Sequence, residues 1–437
     1  MMAFLDWPDV PDVLVRRVRV PNCMGSGLSG ASELADCDIR IVDGAIAEIG
    51  PSLASPGASV DAGGGIAFPG FIDLHTHLDK GHTWPRASNA EGTHGAALAA
   101  VKADREANWT AADVAARAGF SLRCAYAHGT VAIRTHLDSL GPQLDISWPV
   151  FKQLRAEWAG RIALQAAALV PLDAYATPFA ERLADTVAEA GGLLGGSGAL
   201  EPEAAAYIRR IFDLAADRGL DIDLHVDETG DPAAQTLRLV AQETLRRRYQ
   251  GRVTCGHCCS LAMQDEATAR ETIALVADAG ITVVSLPMVN LYLQGRRPRG
   301  TPTWRGLTLL HELRAAGVRV AVASDNTRDP FYAFGDLDLA EVFREAVRIG
   351  HLDLPVGDWP GAVTAWPAAA MGLPSGRLRV GDAADLVLFS ARTYSELLSR
   401  PQADRLVVRA GRAIDATPPS YRELDPLFRG EAAASNH

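Results

Sequence analysis

Two histidines one residue apart, His75 and His77, stand in a run with the composition of a β-strand. Side chains alternate across a strand, so both imidazoles point to the same face, about 6.5 Å apart along the chain. Two imidazoles on one face can share a cation, with each Nε2 at about 2.0–2.1 Å. A His-x-His pair also arises by chance, so a metal site needs further ligands elsewhere in the chain.

Three other β-rich runs end in residues that bind metals or move protons. One carries His225 with Glu228 three residues later, one ends at His257, and one ends at Asp325. Each has an ordinary alternative, since acidic residues are usually solvated and Asp325 can also cap the following turn. Taken together they favour a divalent cation, because a buried cluster of charged groups without a counter-ion is strongly penalised.

The elements that must position these residues alternate along the middle of the chain. β-rich runs are separated by helical stretches rich in Ala, Leu, Arg and Glu, which indicates a parallel sheet with helices outside. Eight such units close into a (β/α)8 barrel of the TIM type, in which side chains at the strand C-termini meet at one mouth. An open doubly wound sheet is the alternative, but no G-x-G-x-x-G motif opens the first crossover. The predicted strands are 71–78, 130–138, 161–170, 192–196, 221–228, 252–258, 282–290 and 319–325.

Both ends of the chain have a different character, with short alternating runs and glycine turns. We expect them to assemble one small β-sandwich domain from residues 1–68 and 379–437, around a barrel domain of residues 69–378. The runs that predict its strands are 13–20, 39–49, 381–389 and 406–414.

Composition limits the classes of partner. The 437 residues are 48% hydrophobic and 22% charged, which is typical of a globular protein, and the net charge of −11 argues against nucleic acid or an anionic membrane. No apolar run reaches the roughly 18 residues of a membrane span. Six scattered cysteines without a paired motif favour a reducing compartment. We therefore expect a cytoplasmic protein that acts on a small molecule, and we leave a homo-oligomer open.

These residues resemble the amidohydrolase superfamily and, within it, the cytosine deaminase-like branch. The His-x-His motif marks only the superfamily, whereas HLDK, LQGR and DPFY in combination are more specific. The resemblance covers nearly the whole chain and includes "FPGFIDLHTHLDK" (68–80), "HVDE" (225–228), "GH" (256–257), "LQGR" (293–296) and "SDNTRDPFYAFGD" (324–336).

The resemblance implies a role for each candidate residue. It implies one divalent ion, zinc or iron, with the ligands His75, His77, His225 and Asp325. Glu228 would move protons, while His257 and Asp325 would help to activate the attacking water. Gln165 would read an amide-like edge of the substrate ring.

The lysines bear on the number of metal ions. Many members of the superfamily use two metals bridged by a carboxylated lysine at the end of the fourth strand. This chain has only Lys80, Lys102 and Lys152, and none lies in 192–196, so one ion is favoured. Lys80 is expected to be structural or at the pocket rim. The histidines His82, His94 and His136 are also expected to be structural.

Asn326 departs from the pattern of the branch, whose cytosine deaminases commonly carry a second aspartate at this place. An amide offers a donor and an acceptor without charge, so its contact with a substrate would differ and cytosine itself is in doubt. Asn326 is either a substrate-binding residue or a turn residue.

The predicted activity is the hydrolytic deamination of an amino-substituted nitrogen heterocycle, a cytosine-like pyrimidine or a related ring. A metal-bound hydroxide would attack the ring and release ammonia, as in amidohydrolases acting on C–N bonds of cyclic amidines. The alternative on the same site is a hydrolase of N-alkylamino-triazine rings that releases an alkylamine. A non-enzymatic relative that lost its ligands is disfavoured, because all the candidate ligands are present.

Overall fold

The structure, a computed structural model, describes residues 4–25, 32–54, 57–297, 299–374, 376–401 and 404–428. The described residues form sixteen β-strands. They are β1 (Asp12–Pro21), β2 (Leu34–Val42), β3 (Ala45–Gly50), β4 (Ala58–Asp61), β5 (Ile66–Pro69), β6 (Phe71–Thr76), β7 (Thr130–Asp138), β8 (Ala163–Leu169), β9 (Leu194–Gly198), β10 (Ile222–Val226), β11 (Val253–His257), β12 (Thr282–Ser285), β13 (Arg319–Val322), β14 (Leu386–Phe389), β15 (Arg405–Arg409) and β16 (Arg412–Ala413).

Helices separate most of the strands in the middle of the chain. They are α1 (His94–Asn108), α2 (Ala111–Ala127), α3 (Gln143–Glu157), α4 (Phe179–Glu189), α5 (Ala204–Arg218), α6 (Thr236–Arg247), α7 (Glu266–Asp278), α8 (Pro287–Leu293), α9 (Leu310–Ala315), α10 (Leu339–Gly350), α11 (Ala365–Met371) and α12 (Tyr394–Ser399). Short 3-10 helices span Leu172–Ala176, Cys259–Met263, Trp359–Val363 and Tyr421–Leu427.

The described residues fall into two compact units. The first comprises Met1–Asp73, Cys124–Ala132 and Asp338–Pro418, and the second comprises Leu74–Arg123, Ile133–Leu337 and Pro419–His437, each over its described part. The predicted domains, 1–68 with 379–437 and 69–378, stay a prediction, and their ends at 1–3 and 429–437 lie outside the described residues.

The first unit contains a sheet built from both ends of the chain. Its strand order is β16-β15-β14-β5-β1-β2-β3, with β4 also paired to β1. The join is an antiparallel pairing of β14 with β5, in which Leu386 faces Pro69 and Phe389 faces Ile66. This pairing supports a small β domain assembled from the two chain ends. That this small domain is a β-sandwich stays a prediction.

The other strands form two sheets in a mixed α/β fold. One is five-stranded and parallel, in the order β13-β12-β11-β10-β9, and the other is three-stranded, in the order β6-β7-β8. All eight strands predicted in the middle of the chain are therefore present, most of them shorter than predicted. Single parallel bridges join Thr76 of β6 to Asp325, just after β13, and Ala167 of β8 to Leu193, just before β9.

One predicted strand was wrong in its second half. The run 282–290 is a strand only as far as Ser285, and helix α8 begins at Pro287. Proline lacks the N–H that an inner strand must donate, but at the first turn of a helix that N–H has no partner to lose. The change places Asn290 on a helix, where it is buried.

Among the described residues, no helix combines the length and the hydropathy that crossing a bilayer requires.

Candidate metal centre

The four candidate ligands lie where strands end. His75 belongs to β6, His77 follows that strand directly, His225 belongs to β10, and Asp325 lies just beyond β13. The Asp325 amide donates to the His75 carbonyl at 2.8 Å. The Thr76 hydroxyl donates to the Asp325 carbonyl, also at 2.8 Å. These backbone links fix the end of β6 against the segment after β13.

Their donor atoms converge on one point. Nε2 of His225 lies 3.0 Å from Nε2 of His75 and 3.3 Å from Nε2 of His77. Oδ1 of Asp325 lies 3.1 Å from His77 Nε2 and 3.6 Å from His75 Nε2. Ligands at about 2.0–2.1 Å from a tetrahedral ion are about 3.3–3.4 Å from one another. The residues therefore fit a small divalent cation.

The protonation state of the imidazoles also suits a cation. Burial lowers the pKa of His75, His77 and His225 well below the ordinary value, and neighbouring histidines and Lys80 lower it further. The rings are therefore neutral at physiological pH. Each has a nitrogen lone pair to offer, as metal ligation requires.

Gly256 allows β11 to approach the His75 ring. A Cβ atom at this position would lie 2.8 Å from Cε1 and 3.0 Å from Nδ1 of His75, closer than real Cβ atoms come. The glycine of the "GH" pair is therefore explained by the volume of the His75 imidazole. The histidine of the pair, His257, enters the same region from the end of β11.

The backbone turns sharply at these strand ends. Four residues that are not glycine have positive φ: Asp227 (56°), His257 (68°), Cys258 (53°) and Asp325 (59°). This left-handed region is sparsely occupied by residues with a Cβ, and such residues cluster at functional sites. At the end of β10, the Asp227 carboxylate accepts from the amides of Thr236 and Leu237 at 2.8 Å each, which ties the loop to the start of α6.

Glu228 lies between two imidazoles. Its Oε1 is 3.5 Å from Nδ1 of His257 and accepts from Nδ2 of Asn290 at 3.4 Å, while its Oε2 is 3.4 Å from Nε2 of His94. Burial raises the pKa of the Glu228 carboxyl, but His257 and His94 outweigh burial and the net pKa is lowered. Glu228 is therefore an ionised carboxylate, ready to accept a proton.

His257 is held beside the metal ligands. Its Nδ1 lies 3.0 Å from Nδ2 of Asn290, and one of its ring nitrogens lies within 4.8 Å of donor atoms of His75 and Asp325. Burial is the main reason that the pKa of His257 is lowered. A neutral imidazole in this place can hydrogen-bond to a water at the candidate metal centre.

Asn326 has a partner within its own loop. Its Nδ2 donates to Oδ2 of Asp329 at 2.7 Å, and Oδ1 of Asp329 accepts from the amides of Phe331 and Tyr332. Burial raises the pKa of Asp329 to about 6. Asn326 thus stabilises a turn and also lines the cavity described below, so both predicted interpretations remain open.

Lys80 forms an ion pair with Asp138. Its Nζ lies 3.0 Å from Oδ1 of Asp138, whose Oδ2 accepts from Arg105 at 2.7 Å. Burial lowers the pKa of Lys80, but Asp138 and the neighbouring carboxylates outweigh burial and raise it. A protonated lysine of this kind is a poor candidate for carboxylation. Its place beside the cavity matches the structural or rim position expected from the sequence.

Gln165 is not brought together with the metal ligands. Its Oε1 accepts from Nε and Nη2 of Arg134 at 3.2 and 3.0 Å. Arg134 is itself buried and donates to Asp223 at 2.7 Å. Gln165 is not among the residues that line the cavity described below, where the wall includes Leu169, the last residue of β8, and Val170 and Pro171 after it.

A cavity of about 560 Å³ opens onto the candidate metal centre, and we call it the strand-end cavity. Its wall includes His77, His225, Asp325, Glu228 and His257. A larger recess, of about 830 Å³, lies in the first unit. Charged groups on its wall already have partners, as Arg19 has Asp36 and Arg392 has Glu396, so volume alone does not locate the chemistry.

Sequence reasoning missed two residues of this region. His94 was expected to be structural, but it lines the strand-end cavity beside Glu228. Asn290 was placed in a strand, whereas on α8 it contacts both Glu228 and His257. The signal for Asn290 was Pro287, which marks a helix start. No pattern in the sequence signals the position of His94.

Comparison with known proteins identifies the family. A model of the amidohydrolase family matches residues 173–415. The pterin deaminase of Rhizobium rhizogenes is 54% identical over 432 residues, which cover 98% of this chain and 99% of that protein. The chain belongs to the amidohydrolase family, as the sequence resemblance predicted. Within the family it is a hydrolytic deaminase of a heterocycle.

Two solved structures extend the comparison to the fold. The 5-methylcytosine deaminase of Klebsiella pneumoniae with bound 5-fluorocytosine superposes with a TM-score of 0.79 at 26% identity, covering 92% of this chain and 97% of that one. The N-isopropylammelide isopropylaminohydrolase of Burkholderia multivorans gives a TM-score of 0.74 at 28% identity, covering 93% and 98%. The predicted likeness to cytosine deaminases is confirmed.

Proposed function

We propose that this protein deaminates a pterin, converting its exocyclic amino group to a ring carbonyl and releasing ammonia. The observation that carries the proposal is the 54% identity, over almost the entire chain, to a protein named as a pterin deaminase. The 5-methylcytosine deaminase, which has the same fold, is only 26% identical. A pterin therefore replaces the cytosine-like pyrimidine of the sequence-based prediction.

The chemistry of the ring is compatible with the site. A pterin carries its amino group on a carbon between two ring nitrogens, so it contains the N=C–NH2 unit that a cytosine-like pyrimidine also presents. Its second fused ring needs more room than a single ring does. The strand-end cavity, at about 560 Å³, is within the range of sites for small ligands and cofactors.

We propose one divalent ion, zinc or iron, held by His75, His77, His225 and Asp325. Imidazole and carboxylate ligands suit both metals. The convergence of the donor atoms, with separations of 3.0–3.6 Å, supports this assignment. When bound, such an ion makes a coordinated water acidic enough to be a nucleophile near neutral pH.

Glu228 would move the protons. Its ionised carboxylate takes one proton from the attacking water and delivers it to the ring nitrogen beside the amino-bearing carbon. It then takes the second proton of that water to the departing amine, so that the carbon–nitrogen bond breaks and ammonia leaves. Each transfer of this kind contributes about 10²–10⁴ in rate.

His257 and Asp325 would orient the attacking oxygen. His257 is fixed on one side by Asn290, and one of its ring nitrogens lies within 4.8 Å of donor atoms of His75 and Asp325. Asn326, on the cavity wall, is available to hydrogen-bond the ring edge. Gln165 has no part in the proposal, since its amide oxygen accepts from Arg134 and it does not line the cavity.

We also propose that the five-stranded and three-stranded sheets close into one eight-stranded barrel. The single bridges Thr76–Asp325 and Ala167–Leu193 support closure, because they connect the two sheets at both of their edges. A barrel would explain why residues from β6, β10, β11 and the end of β13 meet at one mouth.

The cytoplasmic location stays a prediction, based on the scattered cysteines of the sequence. A homo-oligomer likewise stays a prediction.

A substrate panel tests the proposal. Protein loaded with zinc or with iron is incubated with pterins, aminopyrimidines including cytosine, aminotriazines and N-alkylaminotriazines, and ammonia is measured. Products are identified by mass spectrometry, which separates ammonia release from the alkylamine release of the alternative hydrolase. Pterins are expected to give ammonia and the oxo product, and chelated protein to give neither. Preference for cytosine or for an alkylaminotriazine, or silence on pterins with metal bound, would contradict the proposal.

A further inference from the structure

We propose that His94 is a positioning residue for Glu228, holding one oxygen of its carboxylate so that the carboxylate is oriented toward the reacting ring. This inference rests on the proposed function, because it takes Glu228 as the proton carrier. It concerns a residue on α1, outside the strand ends that supply the other functional groups.

The two oxygens of Glu228 have different partners. Oε1 faces the inner pair, His257 and Asn290, at 3.5 and 3.4 Å, and Oε2 faces only His94 among its described neighbours, at 3.4 Å. The backbone carbonyl of Glu228 accepts from Gln294 at 3.2 Å, so the residue is also tethered at its main chain. The terminal torsion of a glutamate is broad, and fixing the carboxylate therefore requires a partner on each oxygen.

His94 is itself held in place. It is the first residue of α1, behind Thr93, whose hydroxyl accepts from the Ala96 amide at 3.2 Å and caps the helix. The amide of Asn89 donates to the carbonyls of Thr93 and Pro330 at 3.0 and 3.1 Å. The start of α1 is therefore tied to the loop that follows β13.

A ring contact completes the support. The imidazole of His94 packs edge-on against Phe331, with the ring centroids 5.5 Å apart. Both residues line the strand-end cavity with Glu228. A side chain needed only for packing would be buried, whereas that of His94 is 41% exposed and its nitrogen faces the carboxylate.

Electrostatic attraction favours the contact between the His94 imidazole and the Glu228 carboxylate. Burial lowers the pKa of His94, but the hydrogen bond and charge of Glu228 outweigh burial and raise it, and Lys80 is the other charged group that acts on it. The separation of 3.4 Å is long for a hydrogen bond, but contacts of this kind shorten when substrate closes the site.

The test compares His94→Leu, which removes the donor, with His94→Gln, whose amide nitrogen reaches about as far. With pterin as substrate we expect His94→Leu to lower kcat about 10- to 100-fold, because the carboxylate is no longer fixed. KM, metal content and Tm should hardly change. His94→Gln should recover kcat to within about fivefold of the wild type. Glu106→Gln is the matched control and should leave kcat unchanged, because Glu106 is an exposed residue of the same helix and does not line the cavity.

Two kinetic results would overturn the inference. One is an unchanged kcat in His94→Leu, and the other is a loss in His94→Gln as large as that in His94→Leu. If the wild type acts on another ring, the same comparison is made with that ring, so the substrate and the role of His94 are judged separately.

A second test does not require enzymatic activity, so it can be made even if the protein acts on none of the compounds in the substrate panel. The pKa of His94 is followed by NMR in the wild type and in Glu228→Gln. We expect a lower pKa in the variant, because the negative partner is gone. An equal pKa in both proteins would show that the two side chains do not interact.

Discussion

Gly256 determines how closely β11 can approach the His75 imidazole. In Gly256→Ala the new methyl group would push the ring, because it would lie 2.8 Å from Cε1. We expect metal affinity to fall about tenfold, as for other changes that misorient a ligand. Metal titration by calorimetry measures the effect. Gly119→Ala is the control, because an added Cβ there meets nothing within 4 Å. Equal affinities in the two variants would contradict this explanation of the glycine.

Glu228→Gln keeps the size of the side chain but cannot carry a proton. We expect kcat to fall about 10²–10⁴-fold with metal content unchanged, since a general acid–base group contributes that much. Glu201→Gln is the matched control. Glu201 lines the same cavity, but its carboxylate accepts from the Ala199 amide at 2.9 Å. Loss of metal from Glu228→Gln, or equal activity of the two variants, would show that Glu228 has another role.

At the scale of single residues, the sequence predicted many of the side chains that the structure brings together in the candidate site, but not all of them. Alternation along a strand predicts that His75 and His77 share a face, and the common placement of strand C-termini predicts that they lie near His225, although β10 belongs to the other sheet. The position of Gln165 could not be predicted, because the competing partner Arg134 comes from another strand. His94 was missed for a related reason, since its contact with Glu228 depends on how a long connecting segment folds.

The start of α10 depends on a buried ion pair. Asp338 caps this helix through the Ala340 amide, and Arg405 of β15 donates to both of its carboxylate oxygens. Burial raises the pKa of Asp338, but Arg405 outweighs burial and lowers it to about 2. A carboxyl pKa that is lower in the folded state stabilises the protein above the unfolded value of about 3.9. That stability is lost as the pH falls toward about 2.

Asp338→Asn isolates this charge, because asparagine also caps helices well. We expect the free energy of unfolding to drop by about 2–3 kcal/mol at pH 7. The difference from the wild type should shrink between about pH 4 and pH 2. Denaturant titration at several pH values measures it. Asp61→Asn removes an exposed pair with Arg17 and should change little. A difference that does not depend on pH would contradict the electrostatic account.

Elements were predicted better than their boundaries. Every predicted middle strand exists, because buried parallel strands are continuous apolar runs that periodicity detects. The errors occur where a run of apolar residues continues into another element, as at Pro287, which begins α8. The segment between β6 and β7 contains two helices, α1 and α2, whose small hydrophobic contrast gives a weak pattern.

At the scale of the whole molecule, the sequence predicted one association between segments far apart in the chain, that of the strands near its two ends. The antiparallel pairing of β14 with β5 in the first unit supports this prediction. The last described segment was harder to predict. In the second unit, Tyr421 donates to Asp336 at 2.7 Å and stacks under Arg328, although its surroundings in the sequence are polar. Polar segments carry no periodicity from which a docking position can be read.

Metal removal should affect the stability of the entire protein. A ligand that binds only the folded state stabilises it by about 2.7 kcal/mol when present at a hundred times its Kd. We therefore expect Tm to fall on chelation and to recover when zinc or iron is added. Asp325→Asn, which weakens the site, should show a smaller shift in differential scanning calorimetry. No shift on chelation of a metal-loaded sample would contradict the assigned ligands.

The positive φ angles at Asp227, His257, Cys258 and Asp325 have a consequence for attempts to engineer this protein. A left-handed backbone at a residue with a Cβ costs roughly 1–3 kcal/mol. Glycine would relieve this strain at each of the four positions, because it has no Cβ. At Asp325 the gain would be offset by loss of the stability that a bound metal provides. His257 is not a proposed ligand, so a screen scored on temperature alone would accept glycine there and yield robust but inactive enzymes. Turnover therefore has to be selected in the same round.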